Sequence, residues 1–273
     1  MKKTLLITVL FILLVSCQKA TDWPIPDQKL NLITVDGILT DELKTQMVRI
    51  FHTVNQLNQA PLPVTGADVI ISNEDSAWVM QEQPGKPGIY LSAERFIAIS
   101  GKTYTLLIYV NGIVYSAKAS MAPGSEFTEL RYQKNENNDL YHISWVANAF
   151  NTDQPAMWEV LLDWSGVPGF EAADSLSCHG RMLFYTLPTL DVSEIFAPEM
   201  EKISFPAGTL ITEKRYSLTN EHAEFLRDLL LETNWQGGLF DSAPANGITN
   251  LSDGACGFFG VCAVNTLYIT VKP

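Results

Sequence analysis

The chain has 273 residues, a formal net charge of −12 and a hydrophobic fraction of 47%. This apolar content is too high for a disordered chain and is sufficient for a substantial core. The acidic balance argues against nucleic acid as a partner and against attachment to anionic lipid surfaces, because both need a basic face.

The N-terminus has the pattern of an export signal. A short cationic head precedes an apolar run at residues 5–15, which is about half as long as the ~20 residues of a membrane-spanning helix. Residues 1–16 are therefore predicted to be a signal peptide. Leu14-Val15-Ser16-Cys17 resembles the lipobox of bacterial lipoproteins, which implies cleavage before Cys17 and lipid attachment to its thiol. Ordinary secretory cleavage fits less well, because it needs small residues at more than one position before the cut.

A tether and an N-terminal β-domain are predicted to follow. Residues 17–29 are mostly polar and contain Pro24-Ile25-Pro26, which favours an extended, lipidated tether. Residues 30–122 consist of short apolar runs separated by turn signals, a pattern typical of a β-sandwich of the immunoglobulin or prealbumin type. Asn111-Gly112 predicts a two-residue hairpin with a type I′ turn. The predicted strands are residues 32–40, 47–54, 69–71, 89–91, 103–110 and 113–115.

The break at residues 121–125 marks a predicted domain boundary, and residues 126–273 are predicted to form a second, β-rich domain. Residues 141–145 and 158–164 alternate between apolar and polar side chains, which predicts two strands joined by a loop. This pair resembles the tryptophan-bearing strands of fibronectin-type sandwiches. Apolar residues at spacings of three and four predict one amphipathic helix near 220–233, packed on the sheet.

The sequence contains no recognisable catalytic or metal-binding motif. The histidines lack the His-Glu spacing of a zinc hydrolase, and no nucleophile elbow, phosphate loop or calcium loop occurs. Cys178 and His179 are adjacent and would point apart on a strand, which argues against a thiol protease. The sequence therefore predicts no catalytic residue, no metal, no cofactor and no enzymatic activity.

The six tryptophans fall into two groups. Trp145, Trp158 and Trp164 occupy positions where predicted strands face inward, and large aromatic residues at such positions usually form core. The other three lie in loop-like or edge contexts and are better candidates for contact with a partner. They are Trp23, Trp78 and Trp235.

Three cysteines remain after lipidation of Cys17, so at least one thiol stays unpaired. Cys178 is predicted to pair with either Cys256 or Cys262. A bridge between Cys256 and Cys262 would need a hairpin at residues 257–260, because an extended strand would place the two ~20 Å apart. Three buried thiols without a disulfide are the alternative.

Three Asp-Ser-apolar triplets resemble sites that are O-glycosylated in exported proteins of the Bacteroidota. Their serines are Ser76, Ser175 and Ser242. The alternative is that these serines lie unmodified in surface turns.

Several short motifs are spread over most of the chain. They lie at residues 35–41 (VDGILTD), 66–69 (GADV), 87–90 (PGIY), 101–106 (GKTYTL), 250–251 (NL) and 257–259 (GFF). Together they resemble a lipoprotein family of the Bacteroidota known as domain of unknown function 4249. The resemblance implies an anchored, two-part β-protein, often encoded beside an outer-membrane TonB-dependent transporter, without catalytic residues. It also implies that Cys262 lies within a strand, which disfavours a bridge to Cys256.

These observations predict a lipid-anchored protein of the outer membrane, on either its periplasmic or its surface face. The first hypothesis is an accessory protein that contacts a TonB-dependent transporter in nutrient uptake. The second is direct binding of a glycan or a peptide, for which exposed aromatic residues would line a groove. A hydrolase is the third hypothesis and would need converging carboxylates or a histidine-centred cluster.

Overall fold

The computed structural model describes residues 32–54, 59–170, 175–189, 202–233 and 248–273. These residues form fourteen β-strands, one α-helix and one short 3-10 turn, which confirms the prediction of a mainly β protein. The predicted signal peptide and tether, with Cys17, lie outside the described residues. The elements are β1 Ile33–Thr40, β2 Met47–His52, β3 Asp68–Ser72, β4 Ala77–Glu82, β5 Ile89–Ser92, β6 Thr103–Val110, β7 Ile113–Ala122, β8 Arg131–Lys134, β9 Tyr141–Trp145, β10 Ala156–Asp163, β11 His179–Thr186, β12 Leu210–Ser217, α1 Asn220–Thr233, β13 Ala255–Cys262 and β14 Val264–Thr270.

Eight strands close into a barrel in the order β1-β13-β7-β6-β3-β4-β5-β2. Strand β6 shows why the sequence folds this way: Tyr104, Leu106 and Ile108 are fully buried, while Leu107 and Tyr109, which point to the opposite face, are exposed. This period of two places one apolar face inside and the other face outside. The predicted sandwich of residues 30–122 is not confirmed, because hydrogen bonding runs continuously around eight strands instead of leaving two separate sheets.

The hairpin between β6 and β7 is confirmed. Val110 pairs with Ile113, and the two residues between them have positive φ angles of 53° at Asn111 and 79° at Gly112. A type I′ turn requires positive φ at both positions, and Asn followed by Gly is the pair that adopts it most readily.

Strand β13 closes the barrel although it begins at residue 255, far along the chain from the other barrel strands. It pairs in parallel with β1 from Ile33 and Ala255 to Thr40 and Cys262, and its end pairs with β7 at Met121. Without β13, strands β1 and β7 would present unpaired backbone groups at two sheet edges. The barrel therefore includes a strand from beyond the boundary predicted at residues 121–125.

Asn250 joins β13 to β7 through its side-chain amide. Its Oδ1 accepts from the N–H of Phe259 at 3.0 Å, and its Nδ2 donates to the carbonyls of Phe259 at 2.7 Å and Lys118 at 3.1 Å. The amide thus substitutes for ladder hydrogen bonds between two strands that pair over only two residues.

Asn250→Ala is expected to lower the free energy of unfolding by about 2 to 3 kcal/mol, because it leaves partly buried backbone groups unpaired. Urea denaturation followed by circular dichroism measures this change. Asn250→Asp keeps the acceptor and loses the donor, so we expect an intermediate loss. An alanine variant as stable as the wild type would contradict the role given to this amide.

The remaining strands form two further sheets. One has four antiparallel strands in the order β11-β10-β12-β14, and the other consists of β8 and β9. The two strands predicted around Trp145 and Trp158 exist, but they do not pair with each other, since β9 pairs with β8 and β10 lies between β11 and β12. A second core forms between these sheets and includes Ile143, Val160 and Ile211.

Helix α1 has the bounds that the sequence predicts. Ala223 and Leu226 are buried in a third cluster with Tyr216 of β12 and Cys262 of β13. His222 stacks on Phe258 of β13, with ring centroids 4.5 Å apart. The helix therefore packs against both the barrel and the four-stranded sheet. Over the described part of the chain, no helix combines the length and the apolar character needed to cross a membrane.

Polar contacts also join the barrel to the four-stranded sheet. Lys214 of β12 lies 2.7 Å from the carboxylate of Glu42, which follows β1. The Ser217 hydroxyl donates to the carbonyl of Ala122 and accepts from the N–H of Ala263. The described residues accordingly belong to one compact unit.

Candidate functional site

The predicted modification sites are only partly covered by the structure. Cys17 and Ser242 lie outside the described residues. Ser175 begins the 3-10 turn Ser175–Cys178. Ser76 is exposed between β3 and β4, where the Asn73 carboxamide accepts from its backbone N–H at 2.9 Å. An exposed turn is the setting that O-glycosylation of Ser76 would require.

The predicted disulfide from Cys178 to Cys256 or Cys262 is not formed, and the three thiols are free. Cys178 is buried in the core between the two smaller sheets, whereas Cys262 is buried against α1. Cys256 lies instead beside β1, with its sulfur 3.5 Å from the carbonyl oxygen of Ile33. Cys256 and Cys262 share strand β13, so the extended chain also keeps these two apart.

A cysteine and a histidine do meet in the structure, but not the adjacent pair. Cys178 is buried and His179 is exposed, so these neighbours point apart as expected. The sulfur of Cys262 instead lies 4.0 Å from Nδ1 of His222. Burial raises the pKa of Cys262 to about 12 and lowers the pKa of His222 to about 4. Both groups are therefore neutral at pH 7, and the contact is packing and not an activated thiolate.

Polar groups line a cavity of about 220 Å³ beside the four-stranded sheet. It lies where residues 125–128 and the loop after β9 meet β10, β11 and β12. We call it the Arg215 cleft, after the cation in its wall. Asn148, Asn151 and Gln154 are exposed at its rim. Glu126 is the one carboxylate among the described residues that line it.

Arg215 is the unusual member of this wall. It lies on the inward face of β12 and is only 4% exposed. Its Nη2 donates to the carbonyl of Gln154 at 3.2 Å, and its guanidinium lies 5.7 Å from the ring centre of Trp158. Nη1 is buried and has no hydrogen-bond partner among the described residues. Burial lowers the pKa of Arg215, but a guanidinium keeps its proton in proteins, so a charge is held here without a carboxylate partner among the described residues.

Aromatic side chains complete the cleft. Trp158 is held by a 2.9 Å hydrogen bond from Nε1 to the Thr186 hydroxyl and by the edge of Phe127, with ring centroids 4.9 Å apart. Trp145 is half-buried and has the guanidinium of Arg131 5.1 Å from its ring centre. Ser125 adds a buried hydroxyl that also lacks a partner among the described residues. The cleft thus combines a cation, a hydroxyl and aromatic surface.

The predicted positions of the tryptophans agree with the structure only in part. Trp158 and Trp164 are buried, as expected for core, although Trp158 also borders the cleft. Trp145 is less buried than predicted because it forms part of the cleft. Trp78, a candidate for contact with a partner, packs against the barrel core and stacks on Phe96 with ring centroids 4.1 Å apart. Trp23 and Trp235 lie outside the described residues.

The outer surface of the barrel carries a second feature. Five exposed apolar side chains lie on the neighbouring strands β4, β3, β6 and β7, and we call them the apolar band. Register makes them contiguous, since Ile70 faces both Val79 and Leu107 across its strand, and Tyr109 faces Val114. Their exposed fractions are 56% for Val79, 37% for Ile70, 39% for Leu107, 50% for Tyr109 and 60% for Val114.

A larger cavity of about 400 Å³ lies between β7, β13 and the start of α1. Its charged residues, Lys118 and Glu221, have opposite signs. The Asn250 amide in its wall is already engaged by the backbone, and the Thr219 hydroxyl accepts from the N–H of His222. In contrast to the Arg215 cleft, this cavity has no buried cation. The described residues also contain no cluster of three side chains that could hold a metal ion.

Comparison with known proteins bears on the family alone. A search of curated proteins finds no match. The family model described as "Domain of unknown function (DUF4249)" matches residues 19–267. The motifs at residues 35–41 and 257–259, which suggested this family, lie on β1 and β13, the two strands that pair to close the barrel. With most of its length matched, the chain belongs to the DUF4249 family.

Proposed function

We propose that this chain is a lipid-anchored accessory protein of the outer membrane, held through Cys17, that contacts a TonB-dependent transporter during nutrient uptake. The observation that supports a protein partner is the apolar band on the barrel. Contiguous exposed apolar surface on a folded domain commonly marks a site of protein contact.

Two properties favour a protein over a lipid surface as the occupant of the apolar band. The chain has a net charge of −12, and Asp68 faces Tyr109 across the adjacent strand, so anionic headgroups would be repelled. The barrel strands are paired on both sides, so a partner cannot bind here by adding a strand to an open edge. Contact must therefore use outward side chains, which is what the apolar band supplies.

Photo-crosslinking in cells that express the full chain tests this proposal. We expect p-benzoylphenylalanine at Tyr109 to form an adduct with a TonB-dependent transporter, identified by mass spectrometry. The same label at Tyr268, which is 71% exposed on β14, serves as the matched control and should give no such adduct. Equal crosslinking at both positions, or no transporter adduct at Tyr109, would contradict the proposed contact.

Direct binding of a glycan or peptide is a second candidate function. The Arg215 cleft favours it, because Trp145 and Trp158 place aromatic surface beside hydrogen-bonding side chains. A hydrolase has less support, since acid–base hydrolysis of glycosides needs two carboxylates and the described residues place only Glu126 in the cleft.

A further inference from the structure

We infer that the Arg215 cleft binds an acidic sugar, with the carboxylate of a uronic acid paired to the guanidinium of Arg215. This inference rests on the second candidate function, direct ligand binding, and adds the chemical class of the ligand.

The buried guanidinium of Arg215 is the group that calls for an anionic ligand. A charge removed from water is stable only when it is paired, and one nitrogen of Arg215 has no partner among the described residues. Within the described part of the chain, Arg215 makes one hydrogen bond, from Nη2 to the carbonyl of Gln154, and its positive charge has no counter-ion there. An anion that enters the cleft would satisfy Nη1, and the buried hydroxyl of Ser125 offers a second donor in the same wall.

The shape and charge of the cleft favour a carboxylate over a phosphate. A carboxylate is planar and singly charged, and it matches the fork of one guanidinium. Of the described residues that line the cleft, Arg215 is the one buried cation, and Glu126 at the same site would oppose a doubly charged phosphate. A single monoanionic group is therefore the best electrostatic match.

The surroundings of Arg215 favour a sugar over a peptide. Side-chain amides of Asn148, Asn151 and Gln154 line the rim, and such groups can hydrogen-bond ring hydroxyls. Trp145 offers a half-buried ring on which a sugar face can lie. The cavity of about 220 Å³ is smaller than a typical drug-sized pocket, so it suits one ring and not an extended chain.

Calorimetric titration of the mature chain tests the ligand class. The probes are trigalacturonate and triglucuronate, each compared with its fully methyl-esterified form, which removes the charge and keeps the sugar. We expect one acid to bind about ten- to a hundred-fold more tightly than its ester, since hydrogen bonds to a charged group have this strength. Equal affinity of acid and ester would overturn the carboxylate assignment while leaving direct glycan binding intact. Absence of binding by all four probes would overturn the inference.

A second set of probes, made of peptides, distinguishes a uronic acid from a peptide C-terminus as the source of the carboxylate. Acetylated tripeptides with a free C-terminal carboxylate are compared with the corresponding amides. Binding of the peptide acids without binding of the uronates would overturn the sugar assignment. This comparison and the acid–ester comparison use the unaltered protein, so they remain decisive whatever the behaviour of any variant.

Arg215→Met then identifies the residue. We expect it to reduce the affinity for the acid to that for the ester, while affinity for the ester stays unchanged. The variant should fold, because replacing an unpaired buried charge by an apolar side chain of similar length removes a desolvation penalty. Arg49→Met, at an exposed arginine paired with Asp36 on the barrel, is the matched control and should bind as the wild type does. A folded Arg215→Met protein that retains the preference for the acid would overturn the inference.

Discussion

Glu213→Gln is expected to raise the free energy of unfolding by about 3 kcal/mol at about pH 8 and to remove the loss of stability that ionisation of Glu213 causes between pH 4.5 and 7. Glu213 lies on the inward face of β12 and is fully buried. Its Oε2 accepts from the N–H of Leu130 at 3.0 Å, whereas Oε1 has no hydrogen-bond partner among the described residues. Burial raises the pKa of Glu213 to about 7, and the nearby carboxylate of Glu129 adds to the increase.

The direction of the pH effect follows from proton uptake. Below pH 4.5 the Glu213 carboxyl is protonated in both the folded and the unfolded chain, so it adds no pH dependence. Between pH 4.5 and 7 the folded chain holds a proton that the unfolded chain has released, so stability falls as the pH rises. Above pH 7 both states are ionised, and the full penalty of a buried carboxylate remains. Arg215, two residues along the same face, forms no ion pair with Glu213 among the described residues.

Urea denaturation at about pH 5 and pH 8 measures this difference. The stability of Glu213→Gln relative to the wild type should rise between these values, because its amide keeps the acceptor for Leu130 and cannot ionise. The lowered pKa of His222 makes stability rise with pH over part of this range, but it does so equally in both proteins. Glu94→Gln, the same substitution at an exposed position, should follow the wild type. A stability difference between Glu213→Gln and the wild type that is the same at both pH values would contradict the buried carboxylate.

Gly257→Ala is expected to destabilise the fold by roughly 3 to 5 kcal/mol. Gly257 has a φ of 96° and pairs with Val35 at the junction of β1 and β13. A Cβ atom at this position would overlap the carbonyl oxygen of Val35, and this oxygen belongs to the backbone and cannot rotate away. The substitution therefore combines an unfavourable φ with a steric conflict inside the pairing that closes the barrel.

Gly112→Ala separates these two contributions. Gly112 also has a positive φ, of 79°, but nothing lies within 4 Å of the position that its Cβ would occupy. We expect this control to lose about 1 kcal/mol, from the backbone conformation alone. Thermal unfolding of both variants gives the comparison. Equal losses would mean that β1 and β13 separate easily and that the close approach at Gly257 has little energetic importance.

The elements that could be predicted from sequence are those specified by neighbouring residues. The hairpin at Asn111 and the helix at 220–233 each depend on a short local pattern, and the structure has both. Strand β13 was anticipated only through the family motif at 257–259, because glycines within a strand weaken the usual β-signal. Its parallel pairing with β1 joins segments that no local pattern relates.

The Arg215 cleft could not be predicted for a related reason. A polar residue at every second position of a strand normally indicates the solvent-facing side. On β12, however, Glu213, Arg215 and Ser217 are buried, whereas Thr212 and Lys214 are partly exposed. The aromatic part of the cleft could be foreseen as core. Its cation could not, since the residues that line the cleft come from four separate stretches of chain.

The pairing of β1 with β13 also constrains the order in which the molecule can be built. Ile33 of β1 pairs with Ala255 of β13, which lies 222 positions further along the chain. Strand β1 therefore gains its second neighbouring strand only when β13 is in place. Contacts between such distant segments slow folding, because the entropy of closing a long loop is lost before the contacts can stabilise the fold. Until β13 is in place, the barrel therefore has a gap between β1 and β7. Deletion of β13 would leave β1 with an unpaired edge.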